Sequence, residues 1–288
     1  MSARKPKLAL FLVLAAAWLP ARGADAGDNV AQFGWLHLMP LSRSTPLHTE
    51  LRPSLIGSLT GVQSSFDSPG TAARVGVADT AAFINTRFLT DHFAAQLVAG
   101  VPAQVTISGT GMVAPTGLLG QFLKVDLGAA QNNPLVAVRE WTPALLLQYY
   151  FDLPDGFPGG GRKDALHPYL GIGISYAWFS DFDVSGEFKR QLQSNFGQLL
   201  SFATGHPGAT RVSASASRSW NGVFNAGLAW DLSRHWGLAA SVTYAPLSSV
   251  AHIDISAADG TLLASSSSRL SQDAIVSALL LNYRFRFL

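Results

Sequence analysis

The chain has no cysteine among its 288 residues, which excludes disulfide scaffolds, thiolate zinc sites and cysteine nucleophiles. Charge is also scarce. Lys, Arg, Asp and Glu make up 13% of the chain, about half of the roughly 25% carried by soluble domains. Long hydrophobic runs are missing too: after the N-terminal region no 18-residue apolar stretch occurs, so no helical membrane span is available. The composition is nonetheless 48% hydrophobic with 27 glycines and 17 phenylalanines, too apolar and aromatic for a disordered chain. These features argue against an ordinary soluble enzyme.

The N-terminus carries its own signal. Arg4, Lys5 and Lys7 precede an apolar run from Leu8 to Leu19, followed by Pro20 and Ala24-Asp25-Ala26. A basic segment, a short apolar segment and an A-x-A-type site read as a secretory signal peptide over residues 1–26. The apolar run is too short for a spanning helix, which needs about 20 residues. Removing Arg4, Lys5, Lys7, Arg22 and Asp25 converts the formal charge of +2 to −1. The sequence pI near 9.0 then gives no support for nucleic-acid binding, because no basic stripe remains.

What is present is alternation at period two, in segments of about ten residues. Ile275, Leu279, Leu281, Tyr283, Phe285 and Phe287 share one face, opposite Ala274, Ala278, Asn282, Arg284 and Arg286. Leu145, Leu147, Tyr149 and Phe151 alternate with Ala144, Leu146, Gln148 and Tyr150. Leu170, Ile172, Ile174, Tyr176 and Trp178 alternate with Gly171, Gly173, Ser175 and Ala177. Trp236, Leu238, Ala240, Val242 and Tyr244 alternate with Gly237, Ala239, Ser241 and Thr243. Weaker versions lie near 30–41, 80–89, 92–107 and 217–231.

The connections alternate in length. Thr90-Asp91 and Ser233-Arg234-His235 are tight, and Pro154 to Arg162 is a glycine-rich turn. Long links fall at 42–79, 108–141, 180–216 and 247–273. Short turns on one side and long loops on the other are the pattern of an outer-membrane barrel. The fold expected over residues 27–288 is all-β: an eight-stranded antiparallel transmembrane β-barrel with long extracellular loops and short periplasmic turns. A soluble sandwich also alternates, but its exposed face is polar, whereas here one face is aromatic and the other small.

Four segments in order resemble the OmpW family of small outer-membrane barrels. They are Phe88-Leu89-Thr90-Asp91-His92-Phe93-Ala94 with Gly100-Val101-Pro102, Trp141-Thr142-Pro143 through Gln148-Tyr149-Tyr150-Phe151, His167-Pro168-Tyr169 through Tyr176, and Asn282-Tyr283-Arg284-Phe285. The chain continues past that closing motif with Arg286-Phe287-Leu288. The resemblance implies passive uptake of small hydrophobic compounds through an apolar lumen. It also implies outer-membrane lipids, lipopolysaccharide and the barrel-assembly machinery as partners. Some members of the family serve instead as phage or bacteriocin receptors, so a structural or receptor barrel is the second reading.

With the aromatic face turned to lipid, the lumen is lined by Gln96, Val98, Leu146, Gln148, Val223, Asn225 and Leu280, with Ala94, Gly171, Gly173, Ser175, Gly227, Ala239, Ser241 and Ala278. An ion-selective pore wants rings of charge, and none is expected at mid-height. The same face fits a narrow apolar cavity or a filled, inert barrel. Charged residues cluster at the periplasmic end: Arg87, His92, Asp231, Arg284 and Arg286. They are expected either to form a polar plug, with the arginines paired to Asp231, or to make a solvated rim. A plug would leave a solute to depart sideways into lipid.

Catalytic patterns are weak. The sequence has no H-E-x-x-H or G-x-S-x-G motif. Gly109-Thr110-Gly111-Met112-Val113-Ala114 matches a dinucleotide fingerprint without the required βαβ setting. His206, Asp254 and Asp259 lie among loop serines with no orienting motif, which leaves a lipid-modifying enzyme as the third reading. No cofactor or metal is expected. Leu192 to Leu200 and Leu118 to Leu127 are candidate amphipathic helices at the outer mouth, as an entry funnel or as loop packing.

Overall fold

The computed structural model describes residues 25–41, 43–52, 63–115, 123–153, 166–206 and 208–286. Residues 1–24 of the expected signal and the turn from Pro154 to Arg162 lie outside them. Alternating segments become strands because a pleated chain throws successive side chains to opposite faces. We label β1 (Asn29–Pro40), β2 (Ala78–Phe88), β3 (Phe93–Gly100), β4 (Ala144–Tyr150), β5 (Leu166–Val184), β6 (Ser219–Asp231), β7 (Trp236–Ser256) and β8 (Leu262–Phe285). Each pairs antiparallel with the next, and β8 returns to β1. Closure of the ring pairs the strands through the belt, the condition for crossing hydrocarbon.

The sheet nevertheless contains fifteen strands among the described residues rather than eight, and the closed ring passes through eight of them. The outer links also pair, as Ala103–Thr110 and Val136–Trp141 do, and prolines interrupt the third and fourth segments of the wall.

Outward positions such as Phe33, Leu97, Leu145, Ile172, Phe224 and Leu279 are each more than half exposed. Their inward neighbours Ala82, Ala94, Leu146, Val223, Ala239 and Leu280 are buried. A continuous exposed apolar belt on a closed cylinder calls for hydrocarbon around it. No described helix is long and apolar enough to cross a membrane. Aromatic rings mark the belt's margins. Trp141 stacks on Trp178 with centroids 5.5 Å apart, and Tyr176 leans on Trp220 at 4.8 Å. At the other end Phe93 meets Tyr149 at 5.0 Å and Trp236 meets Tyr283 at 4.9 Å.

Above the belt the structure departs from a barrel with loose loops. The link at 247–273 is an antiparallel ribbon, because β7 and β8 stay in register from Tyr244↔Ile275 up to Ile255↔Ala264. Its serines extend rather than break the strands: Ser265–Ser267 also pair with residues 48–50 of the strand Leu47–Leu51. The Thr49 and Ser266 hydroxyls meet at 2.9 Å. Small side chains flanked by ladders on both sides leave no backbone group unpaired.

The expected helix at 192–200 exists, as part of a longer segment. Gly186–Gln191, a π-helical stretch Leu192–Gly197 and Gln198–Ala203 run on without a break. Its Phe188, Leu192, Phe196 and Leu200 pack into one cluster with Leu51, Phe66, Leu123 and Leu263, forming an apolar cap over the outer mouth. The expected helix at 118–127 is not found in its described part. Val125–Asp126 pairs as a short strand with Met112–Val113, and Leu123, Val125 and Leu127 join the cap.

Candidate functional site: a partitioned lumen with a break in its wall

Two apolar chambers lie inside. The upper, about 110 Å³, sits beneath the cap between Leu127, Phe182, Phe188, Phe196, Ile253 and Ile255. The lower, about 350 Å³, lies inside the wall and is lined by Leu36, Ile84, Val98, Leu146, Val223, Val276 and Leu280 among others. A collar of Leu38, Val105 and Val138, with Phe179 and Val276 packed against it, joins the two linings.

The wall of the lower chamber is interrupted. The β3–β4 ladder ends at Val98↔Ala144, and pairing resumes only at Ala103↔Glu140. Between those pairs lie Val101-Pro102 on one side and Thr142-Pro143 on the other, and all four line the chamber. Proline has no N–H to donate to a ladder. The neighbouring strands run on past the break: Val101 donates its N–H to Ala81 O at 3.0 Å, and Trp141 pairs with Trp178 of β5. A second interruption lies between β6 and β7, where pairing stops at Phe224↔Tyr244 and resumes only at Ala216↔Ala251.

Glu140 stands at the edge of this gap. It shares the inward face with Val136 and Val138, is 9% exposed, and is the one charged side chain in the lower chamber's lining among the described residues. The sequence reading, which expects no ring of charge at mid-height, does not include this residue among the lining. The residue falls within what the sequence suggests is a loop, although the parity of Val136, Val138 and Glu140 carries the signal.

Below the chamber the lumen is crossed by amides. Gln32 donates to Asn282 Oδ1 at 2.9 Å and accepts at Oε1 from Thr86 and Gln96, both at 3.1 Å. Gln148 donates to Gln96 Oε1 at 3.0 Å and to Asn225 Oδ1 at 3.1 Å, and Asn225 donates to Thr243 Oγ1 at 2.8 Å. The chain of bonds passes through every strand of the ring except β5, which contributes Gly171. A Cβ there would press to 3.0 Å from Gln148 Cγ, so glycine leaves space for the amide to cross.

Beneath this floor Tyr150 and Tyr169 stack at 4.8 Å, Phe88 packs on Tyr150 at 4.9 Å, and the Tyr150 hydroxyl donates to Gln148 Oε1 at 3.1 Å. A methyl group at Gly227 would overlap the Tyr169 ring. At the base Arg284 Nη2 lies 2.6 Å from Asp231 Oδ2, and His167 Nε2 lies 3.6 Å from the same oxygen. The residual cavity among these layers is about 20 Å³.

All seven expected lining residues lie inside the barrel. Gln96, Val98, Leu146, Val223, Asn225 and Leu280 border the lower chamber, and Gln148 lies in the amide floor. The five charged positions separate. Arg284 and Asp231 meet, joined by His167, which the sequence reading omits. Arg87 projects from the opposite face to buried Thr86 and Phe88, and its Nη1 reaches Asn29 Oδ1 at 3.4 Å. Arg286 is half-exposed and pairs through Nε with Asp28 at 2.8 Å. His92 sits at the turn against Tyr149, with ring centroids 5.9 Å apart. Arg87 follows the parity of its own strand, which turns it away from the lumen, whereas Arg286 and His92 lie where a strand gives way to the terminus or to a turn.

In the outer half His206 Nδ1 pairs with Asp259 Oδ2 at 2.8 Å, whereas Asp254 accepts from Ser265 at 2.6 Å. Another triplet has Ser65 Oγ 3.2 Å from His48 Nε2, with His48 Nδ1 2.7 Å from Asp67. These three are exposed cross-strand neighbours on an open hairpin. Gly109 to Ala114 is strand and turn, with Gly111 at φ 86°.

A closed antiparallel cylinder with an aromatic-edged apolar exterior defines an integral β-barrel of the bacterial outer membrane. Residues 56–285 match the OmpW family, and the chain belongs to it. It is 25% identical over 179 residues to outer membrane protein AlkL of Ectopseudomonas oleovorans, covering 62% of this chain and 56% of that protein. It is also 25% identical over 126 residues to outer membrane protein W of Salmonella typhi, covering 44% and 47% respectively. The chain thus spans about half the length of these relatives. The crystal structure of OprG from Pseudomonas aeruginosa has the same fold, with a TM-score of 0.63 at 22% identity, over 92% of this chain and 99% of that one.

Proposed function

We propose that the protein is a passive channel for small hydrophobic molecules, which enter under the outer cap and leave sideways into the membrane. The observation that carries this reading is the break between β3 and β4, which borders the apolar chamber. A volume of about 350 Å³ falls within the roughly 300–1,000 Å³ of small-molecule sites. Downward exit is opposed by the amide floor, the stacked tyrosines and the Arg284–Asp231–His167 cluster, which together act as the plug. An apolar solute would have to displace satisfied polar groups to pass them. Upward, Leu38, Val105 and Val138 must swing aside, a rotamer motion within reach of thermal fluctuation. Lipopolysaccharide and outer-membrane lipid surround the barrel, and the assembly machinery inserts it.

The test is uptake. Cells expressing the protein should accumulate octane faster than a deletion strain whose outer membrane is otherwise intact. Equal rates would remove the channel reading and favour a structural or receptor barrel working through its outer ribbon. Loss of a lipid-modifying activity on replacing His206 would instead point to an enzyme.

A further inference from the structure

We propose that Glu140 is a recognition group for the polar head of an amphiphile, so that the lower chamber favours a cationic, hydrogen-bond-donating head on an apolar chain over an anionic one. The inference rests on the lower chamber as a solute site and adds a substrate class to it. Three observations meet at one residue. The residue is nine-tenths buried, and no cation or hydrogen-bond donor is paired with its carboxylate among the described residues. It borders a cavity whose other lining side chains are apolar or neutral. It sits where the β3–β4 ladder resumes, at Ala103↔Glu140, on the edge of the opening.

A buried carboxylate without a partner is costly, and one that faces a cleft is a candidate binding group. Nearby positive charge does not answer the need. Arg139, one residue away, projects to the other face and pairs with Asp181 at 3.2 Å. The structural use of the carboxylate is also weak, since a buried glutamate could be replaced by an apolar residue matching Val136 and Val138 on the same face. An alkylammonium would donate charge-assisted hydrogen bonds to Glu140. Its chain would lie toward Leu146, Val223 and Leu280, and an alkanoate would meet like charge.

The test uses the full barrel in nanodiscs of zwitterionic lipid, with octylammonium and octanoate as probes. Quenching of Trp141 and Trp178, which line the chamber, reports occupancy. The unaltered protein should bind octylammonium more tightly than octanoate, and Glu140→Gln should cut that preference about tenfold, the scale of one hydrogen bond to a charged group. Glu140→Leu should abolish the preference. An unchanged preference in both variants would overturn the proposal. Octane uptake no faster than in the deletion strain would overturn the channel reading instead, because the binding comparison does not depend on transport.

Discussion

Pro102 and Pro143 lie on facing segments of the wall, within the one stretch where the ladder between β3 and its neighbour is missing. Neither offers an N–H. Where these two segments part, the sheet has a side window, and the lower chamber lies directly behind it.

Restoring a donor should narrow the window. In Pro102→Val the ladder gains up to one bond, worth about 0.5–1.5 kcal/mol net. The variant should unfold at higher denaturant and take up octane several-fold more slowly. Equal uptake with raised stability would show that the window is not the exit.

The amide floor should tolerate little. Gln148→Leu removes the donors to Gln96 and Asn225 and the acceptor for Tyr150, leaving buried groups unsatisfied at about 1–3 kcal/mol. Urea unfolding in detergent micelles should show a loss of that order, and planar-bilayer recordings a higher leak conductance. Asp231→Ala should raise leak as well, because Arg284 and His167 lose their shared partner.

The cap should unfold separately from the wall. Phe188 is buried in the outer cluster, which shares no buried residue with the clusters inside the barrel. Phe188→Ala removes an aromatic at a cost of about 3–5 kcal/mol. Limited proteolysis should then cut within residues 186–203 while the barrel keeps its heat-resistant gel mobility.

The hairpin tip at 257–261 should be acid-sensitive in one direction. The Thr261 backbone N–H, 2.9 Å from Asp259 Oδ1, holds this carboxyl below its usual range, helped by the Thr261 side chain and by His206. A depressed carboxylate contributes stability that is fully present above its unfolded value, about 3.9, and is lost as pH falls through the lower folded value. Amide exchange at residues 259–261 should be flat from pH 7 to 5 once corrected for intrinsic rates, and should accelerate only below about pH 4. Asp259→Asn should abolish the acid step.

Local alternation was enough to specify a barrel, because a strand's side chains obey a strict two-residue period and a bilayer demands opposite chemistry on the two faces. It placed Leu146, Val223 and Leu280 inside and Leu145, Phe224 and Leu279 outside. The same parity, carried down β5, would have placed Tyr169 and His167 in the lumen. It was less informative beyond the belt, where Ser265–Ser268 reads as loop because serine commits to no face. Their strand conformation comes from ladders on both flanks.

The amino-acid order alone determined which residues face lipid, since that depends on nearest neighbours and on period. Tertiary structure decided everything that depends on height around a closed ring. Gln32 and Asn282 are 250 positions apart yet share a hydrogen bond, and Glu140 reaches the lumen at the rim of a gap. Register between distant strands sets those heights, and it is fixed only when all the ladders close at once.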